Sequence, residues 1–122
     1  MEFAQKLQIP KPGTIAILDQ PESSDLQLSP GLIVDDPAIA SCVLVFVRTA
    51  ADLNTPSANA AVEAARRDAV AWVAYPKAGQ LNTDLNRDKL AALVGSQGVR
   101  PVRQVAIDDV WSALRFRPIP RD

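Results

Sequence analysis

AVAWVAYPKAGQLNTDLNRDKLAALVGSQGVRPVRQVAIDDVWSALRFRP, residues 69–118, decides the fold class. Ala69 to Tyr75 is continuously apolar and Pro76 stops it, so this run reads as a strand buried on both faces. Lys77 to Asn82 is a polar loop. Asn82, Thr83 or Asp84 is expected to cap the helix that follows. Leu90, Leu93 and Val94 mark its buried face, and Gly95 or Gly98 ends it. Val99 to Ile107 reads as the next strand, with Pro101 near its start as an edge position permits. Asp108 and Asp109 turn the chain. Trp111 to Phe116 returns as the last strand, with Trp111, Ala113 and Arg115 on one face and Ser112, Leu114 and Phe116 on the other.

Upstream, Thr55-Pro56 opens a helix, with Thr as N-cap and Pro at the first helical position. The helix is rich in alanine, and Ala58, Ala61, Val62 and Ala65 form its narrow apolar stripe. Ser41 to Val47 (SCVLVFV) is the strongest strand signal and belongs in the middle of a sheet. Thr49-x-x-Asp52 suits a capping box that opens one helical turn. Gly31 to Val34 (GLIV) is expected as a short strand, broken by Asp35, Asp36 and Pro37. Thr14 to Leu18 (TIAIL) is the first strand, and the loop after it is expected to hold one helical turn around Asp25 to Leu28. Glu2 to Leu7 forms another turn, ended by Pro10, Pro12 and Gly13.

Strands alternating with helices imply crossovers and a parallel sheet. The expectation is one three-layer Rossmann-like α/β domain over residues 1–118, with a tail at 119–122. Its sheet would be mostly parallel and six-stranded, in the order 2-1-3-4-6-5, with the last strand antiparallel.

Three segments carry a resemblance. They are Trp72 to Lys77 (WVAYPK), Thr83 to Asp88 (TDLNRD) and Asp108 to Pro118 (DDVWSALRFRP). They resemble a family of small bacterial domains of unknown function. The likeness covers residues 3–118, more specifically the second half, and implies no known activity. The hairpin close is also similar in architecture to the end of class I methyltransferases, and architecture does not give function.

The 122 residues contain no histidine. That removes histidine-based triads, histidine-dependent zinc sites and the commonest general base. The single cysteine, Cys42, forms no disulfide within the chain and alone holds no metal, which suits a core residue in a reducing cytoplasm. No apolar run approaches the ~18 residues that a membrane span requires. Strand 1 runs into Asp19-Gln20-Pro21-Glu22-Ser23 with no glycine, and neither a dinucleotide nor a P-loop motif occurs, so no cofactor is expected. Net charge is −1, yet residues 61–122 hold ten basic side chains, among them Arg100, Arg103, Arg115, Arg117 and Arg121. Arg115-Phe116-Arg117 interleaves charge with an aromatic ring, a weak signal for nucleic acid without clustered aromatics.

In open α/β sheets ligands sit beyond the carboxyl ends of the strands. That rim is expected to carry Asp19, Arg48, Lys77, Thr83, Asp84, Asp108 and Asp109, with Trp111 just inside. Arg48, Lys77, Thr83, Asp84, Asp108 and Asp109 are the candidate ligand-binding residues, and the competing account is a structural network of the same groups. The leading functional expectation is a non-catalytic interaction or regulatory domain with a protein partner or self-association. The alternatives are a small-molecule or anion-binding enzyme using that rim, with Lys77, Asp84 and Asp108 at its centre, and weak nucleic-acid binding through the late arginines.

Overall fold

In the computed structural model, residues 3–22, 28 and 30–120 are described. The helical turn expected around Asp25 to Leu28 rests on residues outside them, as do Glu2 and the last two residues of the tail. Five strands form one mixed sheet in the order β1-β2-β3-β5-β4. β1 (Ile15–Leu18), β2 (Cys42–Phe46) and β3 (Val70–Pro76) run parallel. β5 (Trp111–Pro118) lies antiparallel between β3 and β4 (Val99–Ala106). Burial explains this placement. Every residue of β2 and β3 is buried, and so are Trp111 to Leu114 and Phe116 of β5. β4 buries only Val99 and Val105, as an edge strand can.

The expected six-stranded, mostly parallel Rossmann-like sheet is therefore corrected. Pro30–Leu32 forms a single 3-10 turn, and Ile33 makes only an isolated parallel bridge to Ile15. Val34 N–H donates to the Ile15 carbonyl at 2.9 Å, and the ladder goes no further. The segment is short, hemmed by Pro30 and Pro37, and leaves Ile33 44% exposed. It gains too little burial to extend a sheet. The consequence is topological. Without a strand outside β1, the order advances in one direction from β1 to β4. Right-handed crossovers in one direction put their helices on one face, whereas a three-layer domain needs the order to reverse.

Both longer helices accordingly share a face. α1 (Phe3–Lys6) is one short turn at the N-terminus. α2 (Pro56–Arg66) starts at Thr55, whose hydroxyl accepts from Ala58 N–H at 3.2 Å. Its buried alanines, Ala58, Ala61, Ala64 and Ala65, let it lie close on Val43, Val45, Ala71 and Val73. α3 (Arg87–Gly95) is capped by Asn86, not by Asn82, Thr83 or Asp84; the Asn86 side chain accepts from Lys89 N–H at 2.8 Å. Leu90 and Val94 face the same core, while Leu93 is 39% exposed.

The opposite face is covered by the N-terminal segment. Leu7 and Ile9 pack on Ile15, Leu44, Trp72 and Ala113 there. The Trp72 indole donates to the Leu7 carbonyl at 2.8 Å. Gly13 then allows the chain to enter β1, since a Cβ there would sit 2.2 Å from the Pro10 carbonyl oxygen. Among the described residues no helix is long and apolar enough to cross a membrane.

Candidate functional site

β1 and β2 end at the same rim of the sheet, and Trp111 begins β5 opposite Pro76 at the end of β3. These ends enclose a cleft of about 390 Å³. Phe46, the last residue of β2, and Trp111 form its aromatic base, with ring centroids 5.1 Å apart at 79°. Both are only 4% exposed. Pro21 and Leu81 add apolar walls, and Asp19, Arg48, Asp52 and Thr55 supply the polar groups.

Most of those polar groups hold backbone. The Asp52 carboxylate accepts from Arg48 N–H at 2.9 Å and Thr49 N–H at 3.3 Å. This sets the 3-10 turn Ala50–Asn54, where a helical turn after Thr49 was expected. The Thr55 hydroxyl donates to the Asp52 carbonyl at 2.9 Å while capping α2. Arg48 Nε donates to the Leu81 carbonyl at 3.1 Å. The Asp19 carboxylate has no hydrogen-bond or ion-pair partner among the described residues. The Trp111 indole N–H is buried and also has no partner among them.

Two residues of the cleft lip have left-handed backbone, Asp19 at φ 58° and Leu81 at φ 52°. A leucine there is strained, at a cost of about 1–2 kcal/mol. The surrounding bonds hold it in place. Besides the Arg48 contact, the Thr83 hydroxyl donates to the Arg48 carbonyl at 2.6 Å. Asp84 Oδ1 accepts from Ala50 N–H at 2.9 Å. The 77–86 loop is thus stapled to the segment after β2, with Leu81 pressed over the cleft.

The residues expected at this rim divide accordingly. Arg48 lines the cleft. Thr83 and Asp84 meet it from the facing loop as staples, and Asp84 also pairs with Lys89 at 3.9 Å. Asp108 Oδ1 accepts from the N–H groups of Val110 and Trp111, both at 2.8 Å, and so fixes the turn that delivers Trp111. Lys77 N–H donates to the Val110 carbonyl at 2.7 Å, and neither Lys77 nor the exposed Asp109 lines the cleft. Sequence reasoning missed Pro21, Phe46, Asp52, Thr55 and Leu81 as lining residues. Leu81 carried a usable signal, being a lone large apolar side chain in the otherwise polar loop that follows Pro76.

The chemistry available is an aromatic base, apolar walls, the Arg48 cation at the lip and the Asp19 carboxylate, which has no partner among the described residues. Compared with protein-family models and with curated proteins, the chain matches none.

Proposed function

We propose that this chain is a non-catalytic regulatory domain that binds a small amphipathic molecule in the rim cleft. The observation that carries the reading is the cleft itself, about 390 Å³ over Phe46 and Trp111, with Arg48 at its lip. Its volume falls within the range of small-molecule sites, and its mostly apolar lining with few polar groups is their usual composition. A flat apolar body would lie on the aromatic base, and a carboxylate or other acceptor would meet the terminal guanidinium nitrogens of Arg48. Asp52 Oδ2 and the Thr55 hydroxyl are engaged by backbone, which suits binding more than bond-making chemistry. The lone cysteine buried in the sheet suits a reducing cytoplasm, which we propose as its location.

The test is thermal and calorimetric titration of the full chain with benzoate, indole-3-acetate, L-phenylalanine and adenosine monophosphate. A member of this series at one hundred times its dissociation constant stabilises the fold by about 2.7 kcal/mol. Arg48→Gln and Leu81→Ser each weaken that binding while leaving the fold intact. A series with no binder, or a binder indifferent to both substitutions, overturns the proposal.

A further inference from the structure

The second surface that asks for a partner lies at the β4 edge of the sheet. Across the β4–β5 ladder Arg100 faces Arg117, and Arg103 faces Arg115. Alternation along β5 puts Arg115 and Arg117 on the side of Trp111 and Ala113, the face without α2 or α3. Their cross-strand partners share that side. Four guanidinium groups therefore stand in two opposed like-charged pairs, an arrangement that repels.

The charge is only partly answered. Asp68 takes Arg117 in a two-point pair, Nε to Oδ1 and Nη2 to Oδ2, both 3.1 Å. Arg115 Nη1 donates to Gln8 Oε1, while its Nε is buried without a partner among the described residues. Arg100 and Arg103 are exposed, with no carboxylate within ion-pair distance among the described residues. Arg100, Arg117 and the Asp68 that pairs with Arg117 also line a concavity of about 340 Å³, walled by Pro118, Ile119 and Pro120, in which Arg100 is the cation left without a carboxylate among the described residues. A register shift between Pro101 and Arg103 leaves Val102 40% exposed, and Ile119 is 50% exposed, so apolar contacts flank the charges.

We propose that this face docks an extended acidic segment of a partner protein, with Asp or Glu at alternate positions. Charge complementarity is the first argument. Spacing is the second: Arg100 and Arg103, the two without a carboxylate among the described residues, stand opposite Arg117 and Arg115, which are two residues apart on β5, about 6.7 Å, the interval between alternate side chains of any extended peptide. Bidentate guanidinium–carboxylate pairing would supply the specificity. Nucleic acid is the poorer occupant. Phe116, between the two β5 arginines, and Trp72, opposite Arg115 across the β3–β5 ladder, are both buried, so neither ring is offered for base stacking beside the guanidinium groups.

The experiment is fluorescence anisotropy on the full chain with a labelled peptide of alternating Glu and Thr, its Gln–Thr counterpart and an oligothymidylate. The Glu–Thr peptide binds saturably and weakens with added salt, and the Gln–Thr peptide does not bind. An Arg100→Gln/Arg103→Gln double variant binds the Glu–Thr peptide about tenfold or more weakly. Its urea midpoint stays at or above that of the parent chain, because repulsion has been removed. Equal binding of the two peptides, indifference to the double variant, or tighter binding of the oligothymidylate overturns the proposal.

Discussion

The two faces of the sheet are sealed by different means. One is covered by two capped helices, α2 laid on β2 and β3 and α3 packed beside β4. The other is closed by a short N-terminal segment, anchored through Leu7, Ile9 and the Trp72 indole bond. The helix face forms through local, chain-ordered crossovers. The opposite face depends on residues 3–9 packing back on β3, a contact separated by 65 positions at Trp72. Topology is the cause. Once the strand order runs in one direction, both crossover helices fall on one side, and whatever precedes β1 is left to cover the other.

The largest expected effect tests the helix face. Phe116 is 1% exposed within that core, and Phe116→Ala is expected to destabilise the fold by about 3–5 kcal/mol in urea titration. The N-terminal side responds less in magnitude and differently in kind. Trp72→Phe keeps an aromatic ring but leaves the Leu7 carbonyl without its buried donor, at a cost of about 1–3 kcal/mol. Amide exchange at Leu7 and Ile9 should then quicken while that of α2 changes little. Equal acceleration on both faces would show one cooperative unit and dissolve the distinction between them.

Much of this contrast was legible, and the part that was not has a physical cause. The runs around Cys42–Phe46 and Val70–Pro76 announce buried strands by composition alone, and Thr55-Pro56 announces α2. Gly31 to Val34 has the same composition in miniature, yet makes one bridge. Whether four residues join a sheet depends on the surface they bury there, and that is a property of the finished edge. The error carried through to the layers, because that strand alone supplied the reversal. At the rim, Arg48 was legible from its place after a strand. Asp108 was legible as a turn residue, and it fixes that turn through Val110 and Trp111 N–H; the work done by Thr83 and Asp84 was not, because polar side chains at a rim look alike until their backbone partners are known.

The smallest effect asks how dry the N-terminal side is. Cys42 lies on it, fully buried, and burial pushes its thiol pKa up to about 12, against a weaker opposing pull from the Arg115 guanidinium. In the unfolded chain the thiol titrates near 9.0. Between these values the unfolded state gives up a proton that the folded state keeps, so stability falls as pH rises through that window. One pH unit above the unfolded value, the loss is about 1.4 kcal/mol. Urea titration at that pH and below the unfolded value, for the parent chain and for Cys42→Ala, isolates this contribution. Tyr75, whose phenol pKa burial also raises, is common to both chains and cancels. A steeper alkaline decline in the parent than in Cys42→Ala means that the short segment excludes water from the start of β2. Matching declines would mean that water reaches the thiol, and that a covering of a few residues does not seal a sheet as two helices do.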